Sequence, residues 1–275
     1  MPFVSALDAG SNEALFRLEQ RMAEYYGNPQ YHTEWIRNAN SAWQPAAHGA
    51  QLAAAARIRA GATLLEVGCG DTAGAMQLLE HVRDVRYHGV DISIPAHRDR
   101  TLRVARASGV KLPFASGSFD VVISMFTIEH TIFPHRFLDE CWRVLESGGK
   151  LHVIAPDFLN NAMASERIGF GYGTGRDKLR RLRLIDAAVT FYDSRIRLPR
   201  VRKRRAHDLQ SGACVFPILI NPRCLLEPGF VTDCDAVYPS CPEEIANYMR
   251  GRHAIESPEL YYRDANTFGI EFTKP

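Results

Sequence analysis

The apolar run Leu64-Leu65-Glu66-Val67 leads straight into a glycine-broken turn, Gly68-Cys69-Gly70, and 21 residues after Gly70 the triplet Gly89-Val90-Asp91 ends in a carboxylate. A buried strand that ends on glycines lets backbone approach a ligand, and a carboxylate at the end of the next strand accepts hydrogen bonds from ribose hydroxyls. These residue types at this spacing describe a nucleotide-type cofactor site. The glycines alone do not select the cofactor. Gly68-x-Gly70-x-x-Ala73 also satisfies the dinucleotide fingerprint, in which a pyrophosphate rests on a helix N-terminus.

Glu66, two positions before Gly68, separates the two cases. Its carboxylate would repel a pyrophosphate but suits, directly or through water, a cofactor carrying a free ammonium group, as S-adenosylmethionine does. Four downstream blocks follow in order: Lys111-Leu112-Pro113-Phe114, Ser118-Phe119-Asp120-Val121-Val122-Ile123-Ser124, Ile128-Glu129-His130, and Arg143-Val144-Leu145-Glu146-Ser147-Gly148-Gly149-Lys150-Leu151. From Thr63 to Asp157 this succession resembles the class I S-adenosylmethionine-dependent methyltransferases, in the type 11-like subgroup with LPF, SFD, EH and RVLxxGG blocks. The resemblance implies that Glu66, Gly68 and Gly70, with Cys69 between the glycines, meet the methionine end of the cofactor. It also implies that Asp91 takes both ribose hydroxyls with Ile92 beside the adenine, that Ser108 and Gly109 bracket the adenine, and that Met125 completes the cofactor set. Thr72 departs from the pattern where a third glycine is usual, and Ser108 stands where an aspartate would accept from the adenine amino group. Serine is a shorter and weaker acceptor.

Positioning these residues requires alternating strands and helices. Thr63 to Val67 is predicted as the first core strand, Thr72 to Val82 as a helix, and Arg86 to Val90 as the second strand. Leu102 to Arg106, Phe119 to Ser124 and Leu151 to Ala155 follow as strands, with a helix opened by Pro134 at its first position. Toward the end, Leu225 to Glu227 closes a short helix, Pro228-Gly229-Phe230 turns, Val231 to Val237 is a strand candidate, Pro242 to Arg250 is a helix, and Phe268 to Thr273 is the last strand. The expected fold is α/β: a Rossmann-like, seven-stranded mixed sheet with helices on both faces, an N-terminal helical cap and a basic helical insertion after strand five. Residues 1–60 form the cap, 61–157 and 214–275 the core, and 158–213 the insertion, all in one structural domain. In the cap, Leu15, Leu18, Met22 and Tyr25 recur at helical spacing, and Tyr25, Tyr26, Tyr31, Trp35 and Trp43 are candidates to line a pocket or to fill core. Gly169-Phe170-Gly171-Tyr172-Gly173-Thr174-Gly175 follows no strand, so it reads as a hinge and not as a phosphate loop.

A hydrophobic content of 46% is ample for one sizeable core, and no apolar run reaches the roughly 20 residues of a membrane span. Without a visible secretory signal, the expected location is cytoplasmic, with peripheral contact at the inner membrane surface as an extension suggested by charge. The six cysteines lack a CxxC pair or a zinc-type spacing, which points to reduced thiols and no metal. The net charge of +2 is uninformative, but from Phe158 to Gln210 thirteen basic residues stand against five acidic ones. Such a segment attracts an anionic partner: in order of expectation a phosphate-bearing or acidic glycan or other small acceptor, an anionic membrane, and last nucleic acid, for which the pI of 8.2 is low. The alternative is a solvated helical face. The run Pro217 to Leu225, with Asp233-Cys234-Asp235-Ala236-Val237-Tyr238, resembles the tail of methyltransferases associated with bacterial surface polysaccharide synthesis, which implies a sugar hydroxyl as acceptor.

Methyl transfer to an oxygen, favoured here over nitrogen or carbon, needs in-line positioning and a base that takes the hydroxyl proton. His130, after strand four, is the first candidate, His207 beside Asp208 the second and Asp157 after strand five the third. Two other readings remain at this stage: an NAD(P)-dependent oxidoreductase, and a methyltransferase-like module that binds without catalysis.

Overall fold

A computed structural model describes residues 3–7, 13–28, 48–94, 99–168, 173–226, 233–255 and 257–275. Tyr31, Trp35, Trp43, most of the 169–175 glycine run and the Pro228-Gly229-Phe230 turn lie outside these residues.

The main sheet has seven strands. β2 (Thr63–Val67), β3 (Arg86–Asp91), β4 (Arg103–Arg106), β5 (Phe119–Met125) and β6 (Leu145–Pro156) are mutually parallel; β9 (Thr267–Thr273) pairs antiparallel with β6, and β8 (Glu259–Arg263) pairs antiparallel with β9 at the edge. The spatial order is β4-β3-β2-β5-β6-β9-β8. Strand order reverses between β2 and β5, and ligands of such sheets bind outside the carboxyl ends at that crevice. A separate pair joins β1 (Phe3–Ser5) to β7 (Pro217–Leu219), antiparallel.

Period-two alternation divides the strands between two cores. Leu65, Val67, Val122, Leu151 and Val153 face a core shared with α1 (Glu13–Tyr26), α4 (Pro134–Val144) and α8 (Pro242–His253). Leu64, Val121, Ile123 and Ile154 face a second core with the helix described over 48–55 (α2) and with α3 (Ala73–Leu79). Glu66 alternates with Leu65 and Val67, which turns it toward the α3 side, where Tyr87 awaits it.

The seventh strand is not the 231–237 candidate. Residues 233–237 form a turn and an extended stretch, and the backbone N–H groups of Val237 and Tyr238 donate to the Glu129 carbonyl at 2.8 and 2.9 Å instead of to a ladder. β8 takes the edge position with the half-exposed sequence Glu-Leu-Tyr-Tyr-Arg, whose charged ends suit an unpaired edge.

The insertion is helical: α5 (Gly175–Arg180), α6 (Leu184–Tyr192), a π-helical turn at Asp193–Arg197, and α7 (Leu198–Gln210). Several of its basic groups serve the fold. Lys178 is buried with its ammonium donating to Thr190 Oγ1 at 2.8 Å, Arg197 bonds Asp193 and the Glu166 carbonyl, and Arg202 donates to the Asn160 carbonyl at 3.0 Å. Arg205 donates to Glu244 Oε2 at 2.9 Å and to the Pro239 carbonyl. Arg202 and Arg205 are therefore internal ties, whereas Lys203 and Arg204 between them are exposed. All six cysteines are free thiols, and among the described residues no helix is long and apolar enough to cross a membrane.

Candidate active site

A cavity of about 530 Å³ opens at the carboxyl ends of β2, β3 and β5, within the size range of small-molecule sites. The sequence-predicted cofactor residues Glu66, Gly68, Cys69, Gly70, Asp91, Ile92, Ser108, Gly109 and Met125 all line it, as does His130. Two base candidates are not brought there. Asp157 is fully buried and committed to Arg263, whose Nε and Nη2 donate to Oδ2 at 2.9 and 2.7 Å; His207 is exposed on α7.

The glycine turn is built by its own hydrogen bonds. The amides of Gly68 and Cys69 donate to the Val90 carbonyl at 2.7 and 3.1 Å, and the Gly70 amide donates to Asp91 Oδ2 at 2.9 Å. The β2 turn and the β3 carboxylate are thus one assembly, and the Ser93 amide holds the other Asp91 oxygen at 2.9 Å. Gly68 has φ +86°, and a Cβ there would collide with the Thr127 side chain. Thr72, at the usual glycine position, takes φ +67° at the N-terminus of α3, and its hydroxyl accepts from the Asp99 amide at 3.1 Å, so the turn keeps its left-handed residue without glycine. Gly109 sits where a Cβ would come 2.6 Å from the Phe137 ring. Replacing Gly68 by alanine combines a disfavoured φ with that collision, a strain on the order of 1–3 kcal/mol. An affinity for cofactor at least about fivefold weaker is expected by calorimetry, and unchanged affinity would mean that the turn reshapes freely.

The electrostatics are one-sided. Among the described residues lining the cavity are seven carboxylates, Glu19, Glu66, Asp71, Asp91, Glu129, Asp233 and Asp235, and no lysine or arginine. Burial raises the Glu66 pKa to about 7; the Tyr87 hydroxyl, donating at 2.5 Å, opposes this, and Asp91 and Asp71 add to it. An arriving cation would hold Glu66 ionised. On the opposite side stand Glu129, His130, Asp233 and Asp235. The His130 Nδ1 lies 3.3 Å from Asp235 Oδ2, and its Nε2 lies 3.8 Å from Glu129 Oε1. Burial alone would lower the imidazole pKa, but Asp235, Glu129 and Asp233 outweigh it and raise it to about 9. That direction favours the imidazolium, which suits His130 to the role of a positive charge beside the carboxylates. Glu129 is 1% exposed, its Oε2 has no hydrogen-bond partner, and burial raises it to about 7 against the pull of His130. Burial likewise raises Asp233 to about 6. Tyr26 of the cap closes this side, its hydroxyl donating to Asp235 at 3.5 Å.

Sequence reasoning placed Glu129 in a motif without giving it a role, and it passed over Asp233 and Asp235, about a hundred residues away, as site residues. The Asp-Cys-Asp spelling was the available signal, but no periodicity ties it to the β5 loop. No described residue of 158–213 lines the cavity.

Comparison with known proteins agrees with this architecture. Residues 65–153 match the family model described as a methyltransferase domain. A probable S-adenosylmethionine-dependent methyltransferase of Mycolicibacterium smegmatis is 34% identical over 126 residues, covering 45% of this chain and 46% of that protein. The phthiotriol/phenolphthiotriol dimycocerosates methyltransferase of Mycobacterium leprae is 39% identical over 101 residues, covering 33% of this chain and 36% of that protein. The chain thus spans less than half the length of these curated relatives. Among solved structures, the Burkholderia thailandensis 1,6-didemethyltoxoflavin-N1-methyltransferase, with 1,6-didemethyltoxoflavin and S-adenosylhomocysteine bound, shares the fold at a TM-score of 0.53 and 12% identity over 96% of this chain and 92% of that chain. The glycine turn, the β3 carboxylate and the seven-stranded order agree with that match: residues 65–153 form a methyltransferase domain similar to those of the class I S-adenosylmethionine-dependent methyltransferases.

Proposed function

We propose that this chain transfers a methyl group from S-adenosylmethionine to a hydroxyl of a small, uncharged acceptor such as a sugar or other polyol. The observation that carries this reading is the charge of the cavity: seven carboxylates and no lysine or arginine among its described lining, with His130 set among the carboxylates. Such a lining attracts a cofactor bearing a sulfonium and an ammonium and disfavours a dinucleotide pyrophosphate. It equally disfavours the phosphate-bearing acceptor suggested by the basic insertion, since an anion would enter against several like charges.

When bound, S-adenosylmethionine supplies an electrophilic methyl group on a positively charged sulfur. Glu66, held by Tyr87, suits the ammonium end; Asp91, fixed by the Gly70 and Ser93 amides, suits the ribose; Ile92, Ser108 and Gly109 suit the adenine. Glu129 takes the acceptor proton, with His130 as a fixed positive charge that keeps it ionised near neutral pH, and Asp233 and Asp235 accept hydrogen bonds from further acceptor hydroxyls.

Calorimetry with S-adenosylmethionine on the wild type and on Asp91→Ala tests the cofactor half. Loss of hydrogen bonds to a charged acceptor costs about 1–3 kcal/mol, which corresponds to roughly 5- to 150-fold weaker binding. Equal affinities would remove Asp91 from the site.

A further inference from the structure

The insertion leaves an apolar surface uncovered where α5 turns into α6. Residues 179–185, Leu-Arg-Arg-Leu-Arg-Leu-Ile, run from the end of α5 through the connecting turn into the start of α6, and all seven are exposed. Leu182 is 83% exposed, Ile185 78% and Leu184 62%. Four aliphatic side chains in water on one turn are unusual for a surface with no partner.

The turn is held rigidly in this outward position. Leu182 adopts φ +58°, a left-handed conformation that a leucine reaches only under constraint. The constraint comes from the Arg181 amide donating to the Asp177 carbonyl at 3.1 Å, Leu182 to Leu179 at 2.9 Å and Arg183 to Lys178 at 2.9 Å. Below it, the Lys178–Thr190 hydrogen bond ties α5 to α6, and the Phe191 ring packs on Gly175. The hairpin is a stiff support that presents its hydrophobic apex.

We propose that the α5–α6 turn is a docking element for an anionic lipid surface, with Leu179, Leu182, Leu184 and Ile185 entering the headgroup boundary and Arg180 and Arg181 meeting lipid phosphates. Aliphatic side chains interleaved with arginines match the composition of interfacial anchors, and long arginine stems reach outward while their neighbours descend. Arg183 is engaged with Asp186, its Nε 2.6 Å from Oδ2, and lends the turn its shape. A second copy of the chain fits less well, because a two-fold contact would set Arg180 and Arg181 against their own images. Nucleic acid fits less well too, since the apex has no aromatic ring on which to stack a base. This surface is separate from the cavity, so the proposal does not depend on the identity of the acceptor.

The test is vesicle flotation of the full chain with phosphatidylcholine alone and with phosphatidylcholine–phosphatidylglycerol mixtures. Binding to the mixed vesicles, weakened by added salt, is expected. Leu182→Asp combined with Ile185→Asp is expected to lower it by about tenfold or more, and Arg180→Ala with Arg181→Ala to lower it several-fold, while calorimetric affinity for S-adenosylmethionine stays unchanged in both variants. Equal flotation by wild type and variants, or no preference for the anionic mixture, overturns the proposal. So does a wild-type dimer that the Leu182→Asp, Ile185→Asp variant converts to monomer in sedimentation, or binding of the turn to an oligonucleotide in place of vesicles.

Discussion

Glu129→Gln is expected to lower kcat by about 10²- to 10⁴-fold, the usual contribution of a positioned general base, and to abolish the acid limb of the pH–rate profile. Glutamine matches glutamate in shape, and the Glu129 carbonyl still accepts from the Val237 and Tyr238 amides, so the turn Ile128–His130 is preserved. What disappears is a basic oxygen in the cavity wall. The base works only when ionised, and burial has raised its pKa to about 7, so the wild-type rate should rise with pH up to about 7. Stability moves oppositely: a raised carboxyl pKa means that the protonated form fits the fold better, a contribution complete below about 4.5 and lost as pH rises through about 7. Glu129→Gln should therefore be no less stable than wild type at pH 8. Lower stability with an unaltered acid limb would assign Glu129 a purely structural role.

The parts of the molecule that were legible in sequence are those whose signal is local. Leu64 to Val67, Val121 to Ile123 and Leu151 to Ala155 are short runs, apolar but for the buried Glu66 and His152, because parallel strands are covered on both faces. Gly68, Gly70 and Asp91 were legible because a backbone turn and a carboxylate can perform their task only at set positions along the chain. β8 was not legible: an edge strand needs no apolar run, and Glu259 and Arg263 interrupt the pattern, whereas the candidate over 231–237 carried apolar residues, of which Ala236 and Val237 are buried outside the sheet. β1 was missed for another reason, since three residues pair with a segment more than two hundred positions away. The acidic acceptor side depends on the same long-range folding, which brings Asp233 and Asp235 to His130. In the insertion, the count of charges did not tell which basic groups face outward: Arg197, Arg202 and Arg205 are held by carbonyls and carboxylates of the fold, whereas Arg180 and Arg181 are exposed, a difference that composition does not carry.

Arg205 leads to the largest stability effect expected in the chain, at its partner Glu244. This carboxylate, 2% exposed in the first turn of α8, accepts four hydrogen bonds: from the amides of Val215 and Phe216 at 3.0 Å each, from the Tyr238 hydroxyl at 2.9 Å and from Arg205 Nη2 at 2.9 Å. The donors come from α7, from the irregular segment leading into β7 and from the segment that carries Asp233 and Asp235. One side chain therefore joins the insertion, the small sheet and the acceptor wall of the cavity. Glu244→Ala would strand a largely buried guanidinium together with two amides and a hydroxyl, and breaking a buried pair in this way costs about 3–5 kcal/mol. In a domain of this size each kcal/mol lowers Tm by about 2–4 °C, so a drop on the order of 6–20 °C is expected in thermal unfolding. Glu244→Gln keeps an acceptor oxygen and should lose less. The double variant Glu244→Ala, Arg205→Ala should recover part of the loss, because the guanidinium left without its carboxylate is then gone. A single-variant loss below about 1 kcal/mol would be that of an ordinary surface pair, and the three segments would then have to be held together by their apolar contacts alone.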